Sequence, residues 1–178
     1  MSEGKKEKWL NYLALTTVIF AVCATLSTFK GGGFSTRSIL AQTQASDQWA
    51  FFQSKSIKGY LFEIQKERLE LERKTAGQRH DRRTSAEYEK KIEEYEAKIA
   101  KYDSEKKQIE EKAKGLEKIR EDAQRHSQVF GMAVIFLQIA ILLSSIAALL
   151  KKSLLWIIGL FAGAAGLVYF TNGFLLFM

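Results

Sequence analysis

Three apolar segments without charged residues limit what this chain can fold into. They run from Trp9 to Phe29, from Val129 to Leu150 and from Leu154 to Met178. The hydrocarbon core of a bilayer is about 30 Å thick, and roughly 20 apolar residues of helix cross it. Each segment is long enough to do so. The sequence therefore predicts an all-α membrane protein with three transmembrane helices, at residues 9–29, 129–150 and 154–178.

The residues between the first two spans carry almost all of the charge. Lys30 to Gln128 holds 22 of the 27 Lys and Arg residues and 18 of the 20 Asp and Glu residues. Mixed charge at this density is typical of a solvated helical surface, whereas positive charge dominates a nucleic-acid-binding surface. We therefore expect no nucleic-acid partner. The chain also lacks proline, which favours long uninterrupted helices.

Glycines and turn signals divide this charged middle. Three consecutive glycines follow Lys30 and predict a break in the first helix, while Thr84 to Glu87 has the pattern of a capping box. The expected segments are a Gly-rich hinge at 30–34, a soluble helix A at 35–75, a basic tip at 76–84 and a soluble coiled-coil helix B at 85–128. Helices A and B have similar lengths, which indicates a long antiparallel helical hairpin. Helix B has no break before the second span, so we expect the two to be continuous.

Helix B carries a seven-residue apolar repeat. Its positions recur at strict 4,3 spacing and are Tyr88, Ile92, Tyr95, Ile99, Tyr102, Lys106, Ile109, Ala113, Leu116, Arg120 and Ala123. Such a repeat predicts a left-handed coiled coil, because supercoiling keeps the stripe facing its partner. Helix A has a shorter stripe that we expect to match it, at Ile57, Leu61, Ile64, Arg68 and Leu71.

Basic residues predict the orientation of the chain. The tail at residues 1–8 contains Lys5, Lys6 and Lys8, and the turn at 151–153 contains Lys151 and Lys152. Positive charge in short loops resists translocation across the membrane. The first two of the three spans separate the tail from this turn, so both lie on the same side of the membrane. We therefore expect both in the cytoplasm and the hairpin in the periplasm.

Two features of the spans are candidate packing sites. The third span has a face of small residues, Gly159, Gly163, Gly166 and Gly173, and such faces let membrane helices approach closely. This face predicts either a subunit interface or packing against the chain's own second span. Gln138 is the most polar residue of the second span, and we expect it to form an interhelical hydrogen bond.

Two further candidate surfaces lie in the hairpin. Trp49, Phe52 and other aromatic residues of helix A lie on more than one helical face, so one partner helix cannot cover them all. They contact either neighbouring subunits or the lipid headgroup layer, and of these we expect subunit contact. The tip contains Arg79, Arg82 and Arg83, which either bind an anionic envelope partner or keep the turn soluble.

Residues with the chemistry of an active site are sparse. Cys23 is the only cysteine, and His80 and His126 lie far apart on the predicted hairpin. We therefore predict no catalytic residue, no metal site, no cofactor and no enzyme activity. The span cores contain no Asp, Glu, Lys, Arg or His, which argues against an ion-coupled transporter.

Five stretches of the chain resemble a known family. They are NYLALTT at 11–17, CATLSTFKGGG at 23–33, QASDQWA at 44–50, FLQIAILLSS at 136–145 and GLVYFTNGF at 166–174. These stretches resemble an uncharacterised bacterial membrane family, domain of unknown function 4337. The resemblance implies a protein of the bacterial inner membrane and supplies no activity or site residue.

Together these patterns favour a structural role. We expect a homo-oligomer, in contact with membrane lipid, that displays helical stalks to about 60 Å from the membrane and scaffolds an envelope assembly. Two alternatives stay open. One is an oligomeric channel lined by the Thr-rich first span or by Gln138. The other is an accessory subunit of an envelope polysaccharide export system, which rests on fold-level analogy.

Overall fold

Long α-helices make up the described part of the chain. The computed structural model describes residues 3–78 and 82–176, and these contain three helices and no strand. Helix α1 comprises Glu3–Gln78, α2 comprises Arg82–Leu150, and α3 comprises Ser153–Leu175. The all-helical prediction is therefore confirmed for these residues. Each helix contains a segment that is long and apolar enough to cross a membrane, judged by length and composition.

The predicted hinge at residues 30–34 is wrong, because α1 is helical from Glu3 to Gln78. Gly31 is buried, and a Cβ atom built on it would lie 3.0 Å from the Cβ of Phe130 in α2. Glycine serves close approach of two helices here and does not make a turn. That packing outweighs the roughly 1 kcal/mol that glycine costs in a helix relative to alanine. The predicted first span and helix A therefore form one helix.

The boundaries at the tip also differ from the prediction. α1 extends beyond residue 75, and the buried side chain of Ala76 gives that last turn a packing contact. α2 begins at Arg82, so Thr84 lies inside the helix and does not cap it. Arg79, His80 and Asp81 lie outside the described residues. As expected, helix B and the second span are continuous within α2.

The turn between α2 and α3 is closed by the backbone of two lysines. Lys151 adopts the left-handed conformation with φ of 51°. Its N–H donates to Ala148 O at 3.4 Å, and the N–H of Lys152 donates to Ala147 O at 3.1 Å. This pair of hydrogen bonds is the Schellman motif, which satisfies carbonyls left free at a helix end. Glycine is usual at the left-handed position, but lysine brings a positive charge to the negative end of the helix dipole.

The chain forms two compact units. An apolar unit contains Met1–Leu40 and Ile119–Met178, and a charged unit contains Ala41–Lys118. Helices α1 and α2 contribute to both units, whereas α3 belongs to the apolar unit alone.

In the apolar unit, segments of all three helices surround a common core. Phe20 and Ala24 of α1 are buried with Leu137 and Ala140 of α2, and apolar residues of α3 pack against this cluster. A second group of aromatic rings surrounds the fully buried Phe130. Its ring centroid lies 6.0 Å from that of Phe34, 6.4 Å from that of Phe170 and 5.0 Å from that of Phe174. Rings at these distances make favourable edge and offset contacts.

In the charged unit, ion pairs link the α1 and α2 segments. Lys55 Nζ lies 2.6 Å from Glu105 Oε2, and Lys66 Nζ lies 2.7 Å from Glu96 Oε1. Arg73 Nη1 lies 3.4 Å from Glu89 Oε1. As residue numbers rise along α1, those of their partners fall along α2.

The two neighbouring glycines in α1 allow a matched test of this packing. Gly31→Leu places a side chain against Phe130, and we expect this overpacking to lower the free energy of unfolding by about 1–3 kcal/mol. Gly32→Leu enters open space, since nothing lies within 4 Å of its built Cβ. It should leave stability unchanged or raise it by up to about 1 kcal/mol through helix propensity. Unfolding of the detergent-purified protein measures both. Equal effects at the two positions would contradict the proposed role of Gly31.

Candidate functional site: packing faces of the two units

The chain's own helices cover the glycine face of α3. A Cβ atom built on Gly163 would overlap the ring of Phe20 in α1, and one built on Gly166 would lie 2.7 Å from Leu137 Cγ in α2. Gly159 and Gly173 are buried as well, against residues of α2. Of the two roles predicted for this face, the geometry supports packing within the chain. The face is not available to a neighbouring subunit.

Gln138 lies on the outer side of the apolar unit. Its side chain is exposed, as are those of Ile135, Leu142 and Ser145 on the same side of α2. Ser145 satisfies its hydroxyl by donating to Ile141 O at 2.9 Å. The Gln138 amide makes no hydrogen bond to the described residues, so the predicted interhelical bond is not made within this part of the chain.

Hydroxyl groups of the first apolar segment bond to their own helix. Thr17 Oγ1 donates to Leu13 O at 2.7 Å, and Thr25 Oγ1 donates to Ala21 O at 2.9 Å. Ser27 and Thr28 make the same contact to the carbonyl four residues earlier. This pattern satisfies the hydroxyls locally and gives them a structural role. Thr16 differs, because its Oγ1 also accepts a hydrogen bond from Trp156 Nε1 at 3.2 Å.

The predicted stripe of α2 forms its buried side in the charged unit. Ile92 and Ile109 are buried, and Ala113 is fully buried. The other predicted members, Tyr88, Tyr95, Ile99, Tyr102 and Leu116, are partly buried. The Tyr95 and Tyr102 rings lie 5.4 Å and 5.9 Å from the ring of Phe62 in α1. The seven-residue repeat therefore identified the packed face of α2.

The stripe predicted for helix A is wrong, because all its members face outward. Ile57, Leu61, Ile64 and Leu71 are 60%, 53%, 63% and 64% exposed. The Arg68 side chain is 80% exposed. The exposed α1 stripe, as we call these five residues, lies on the side of the helix away from α2.

Small and charged residues, together with Phe62, take the place of that stripe in the contact with α2. The buried side of α1 includes Ala41, Ala45, Gly59 and Ala76. Small side chains allow close approach, and ion pairs such as Lys55 with Glu105 add polar contacts. A pattern of large apolar residues detects neither feature, which is why it selected the opposite face.

The two predicted aromatic residues of α1 make contacts within the chain. Trp49 Nε1 donates to Glu117 Oε1 at 2.9 Å, and its ring lies 5.5 Å from the Phe52 ring in an edge-to-face arrangement. Both side chains are partly buried. Phe51 and Tyr60 are exposed. Contact of the aromatic group with another subunit stays a prediction, for which the latter two rings are the available ones.

The predicted basic tip is described only in part. Arg79 lies outside the described residues, and for Arg82 the backbone alone is described. The Arg83 side chain is 92% exposed, with its Nε 3.9 Å from Glu87 Oε1. Binding of an anionic partner by these arginines therefore stays a prediction.

His126 has contacts that the sequence did not indicate. Its Nδ1 lies 2.8 Å from Gly173 O, and its ring stacks on Phe34 with centroids 4.4 Å apart. The histidine therefore connects α2 to the end of α3 and to α1. A hydrogen bond to a backbone carbonyl leaves no signal in a residue pattern. Among the described residues, no group of three or more His, Cys, Asp and Glu side chains could hold a metal ion.

Ion pairing shifts several pKa values in the charged unit. The hydrogen bond from Lys55 lowers the pKa of Glu105, and the positive charges of Lys55 and Lys101 act in the same direction. The hydrogen bond to Glu96 raises the pKa of Lys66. Each shift favours the charged form, so these groups contribute to the folded state where both partners are ionised.

The outer side of α1 in the apolar unit has an open groove. Gly32 and Gly33 leave space there, and Phe29 and Phe34 border it with the basic residues Lys30 and Arg37. The Phe29 side chain is 76% exposed. The Phe34 ring stacks on His126, but the rest of this surface faces outward, like the side of Gln138, and is available to lipid or protein.

Comparison with known proteins identifies the family. A family described as domain of unknown function DUF4337 matches residues 9–176. The chain belongs to this family. The match includes the helical segments of both units and confirms the resemblance seen in the sequence. No curated protein and no solved structure matches the chain.

The shifted pKa of Glu105 predicts how stability depends on pH. Above the ordinary glutamate value of 4.5 its stabilising contribution is fully present. As pH falls below that value, the unfolded chain binds a proton first, and the contribution is lost as pH passes through the lowered folded-state pKa. Glu105→Gln should therefore reduce the loss of melting temperature on acidification. Circular dichroism at a series of pH values measures this. Glu111→Gln, on the exposed side of α2, controls for net charge, and an equal reduction there would contradict the role of Glu105.

Proposed function

We propose that this protein is a homo-oligomeric scaffold of the bacterial inner membrane, in which the apolar unit crosses the bilayer three times and the charged unit forms a stalk. The observation that carries oligomerisation is the exposed α1 stripe. It places four large apolar side chains on the outside of a unit whose remaining surface is densely charged. Contiguous apolar surface of this kind is typical of a protein–protein interface.

The exposed side chains of the apolar unit support membrane insertion. Large apolar residues of all three helices point outward, among them Leu15, Val22, Leu149 and Phe161. Leu149 is 83% exposed and Phe161 is 74% exposed. Contact of these side chains with lipid tails costs no free energy, whereas their exposure to water is unfavourable. Backbone groups of a helix are satisfied internally, which is the requirement for crossing a bilayer.

Contacts within the charged unit support an antiparallel hairpin. The ion pairs of Lys55, Lys66 and Arg73 follow α1 upward in residue number and α2 downward. The 4,3 spacing of the packed α2 stripe favours coiling of the two helices around each other. Such a hairpin is a stiff element with its two outer faces open to other chains.

Gln138 gives a second argument for oligomerisation. An amide without a hydrogen-bond partner is costly to bury in hydrocarbon. A second copy of the chain can supply the partner, and hydrogen bonds between membrane helices contribute about 0.6 kcal/mol on average. The proposed scaffold therefore has association surfaces in both units.

A channel is the second candidate, favoured by the outward position of Gln138 and Ser145. In an oligomer these side chains could face a central axis and line a polar pore. The first apolar segment supports this less, because its hydroxyls are bonded to their own helix and Val18, Val22 and Leu26 lie on its outer side.

The oligomer and the pore can be tested with one preparation. The mass of the protein in nanodiscs, measured by native mass spectrometry, should be a multiple of the 20.2 kDa chain. A monomer would overturn the scaffold proposal. Liposomes containing the same preparation should show no ion flux above empty liposomes. Flux that Gln138→Leu abolishes, with Leu142→Ile as control on the same face, would establish the channel instead.

Site-directed labelling tests the proposed topology. In a Cys23→Ser background, Lys74→Cys lies near the tip of the proposed stalk and Lys152→Cys lies in the proposed cytoplasmic turn. A membrane-impermeant maleimide should label Lys74→Cys in spheroplasts and Lys152→Cys in inverted vesicles only. The reverse pattern would show the opposite orientation, and labelling of both from one side would contradict three spans.

A further inference from the structure

We propose that the exposed α1 stripe of one copy packs on the outer face of α2 of the neighbouring copy, at the same level of the stalk. This inference rests on the proposed homo-oligomer and names the surface through which its stalks associate. The occupant of the stripe is thus a second copy of this chain.

The outer face of α2 has room for large side chains at three small residues. Ala97, Ala100 and Ser104 are all exposed. Ala97 and Ser104 each follow a residue of the packed stripe by two positions, Tyr95 and Tyr102. Two positions correspond to about 200° around a helix, so these small residues point away from α1. They lie on the side of the unit opposite the exposed α1 stripe.

Large residues of the exposed α1 stripe and small residues of the outer face of α2 occur at equal heights along the unit. A Cβ built on Gly59 would lie 3.9 Å from the Cβ of Tyr102, which fixes how α1 and α2 are aligned. From this contact, Leu61 is level with Ala100 and Ile64 is level with Ala97. Copies related by rotation about an axis parallel to the stalk keep their levels. Ile57, Leu61 and Ile64 of one copy therefore lie level with Ser104, Ala100 and Ala97 of the next, which is the knob-and-hole pattern of packed helices, while Leu71 lies level with Lys90.

The charges match as well. Arg68 interrupts the exposed α1 stripe, and the same alignment places it level with Glu93, which is exposed on the outer face of α2. Arg68 Nε contacts Glu72 at 2.9 Å, and the guanidinium has further donors for a second carboxylate. Pairing of two α1 stripes in the same direction would instead oppose Arg68 to Arg68. Like charges at such a position disfavour that arrangement.

The proposed contact joins two different faces, and every copy has both: an exposed α1 stripe for one neighbour and an outer face of α2 for the other. Interfaces of this type repeat from copy to copy and give a ring when the rotation closes. The antiparallel direction of α1 against the neighbouring α2 follows from a common orientation of all copies in one membrane. No copy has to be inverted.

Disulfide trapping between differently tagged copies tests this contact. In a Cys23→Ser background, cells co-express one chain with Ile64→Cys and another with Ala97→Cys, and membranes receive a mild oxidant. The two tags should appear in one crosslinked dimer. Ile64→Cys paired with Gly115→Cys is the matched control, because Gly115 is exposed on α2 but about 27 Å further along at 1.5 Å per residue. That pair should not crosslink.

The outcomes separate this inference from the proposed function. An oligomer in nanodiscs without the Ile64 to Ala97 crosslink would overturn the interface and leave the scaffold standing. Crosslinking of Ile64→Cys chains with each other would also overturn it, in favour of paired α1 stripes. A monomer in nanodiscs would overturn both proposals.

Charge exchange gives an independent test. Arg68→Glu and Glu93→Arg should each lower the yield of the Ile64 to Ala97 crosslink by about two- to fivefold, because each places like charges at one level. The double variant should restore the yield. Arg68→Glu also removes the contact with Glu72, which the double variant does not repair, so restoration identifies Glu93 as the partner. Yields that stay low in the double variant would contradict the pairing.

Discussion

Close approach between glycine and a large side chain holds the apolar unit together. Gly163 lies under the ring of Phe20, Gly166 under Leu137, and both Gly31 and Gly173 against Phe130. Apolar helices in lipid gain little from burying further apolar surface, so their association depends on van der Waals contact and on a few hydrogen bonds. The four glycines bring the backbones close enough for that contact. The same requirement explains why Gly31 stays in a helix where its sequence predicts a break.

In the charged unit, the residues that hold the helices together are distributed differently. There, α1 directs small residues, lysines and Phe62 toward α2 and leaves Ile57, Leu61 and Ile64 outside. In water this arrangement is unfavourable for an isolated chain, since exposing a large aliphatic side chain forfeits about 1.5–3 kcal/mol of possible burial. In the proposed oligomer, a neighbouring chain covers the stripe and recovers this free energy. The stripe of α1 that the sequence pattern assigned to contact with α2 is thus available for assembly.

The sequence predicted the elements of this fold better than their contacts. The apolar segments, the continuity of α2 and its packed stripe could be read from residue type and spacing, because helix periodicity records which side of a helix is buried. The break at Lys30–Phe34 and the stripe of α1 were wrong for a shared reason. Both depend on how α1 packs on α2, which places Gly31 against Phe130 in one case and turns small residues, lysines and Phe62 toward α2 in the other. Likewise, the bond between His126 and the Gly173 carbonyl involves a backbone atom that no residue pattern reports.

Gln138 and Ile64 are mismatched to their surroundings in opposite senses. Gln138 is a polar amide on the outer side of the apolar unit, and Ile64 is an aliphatic side chain on the outer side of the charged unit. In the proposed membrane arrangement, a monomer leaves the amide without a partner in hydrocarbon and the isoleucine in water, and each exposure costs free energy. Burial of one surface does not relieve the other within the same chain, because both face away from its own helices. The proposed association with further copies would relieve both at once, so the two mismatches favour the same proposed assembly, one from hydrocarbon and one from water.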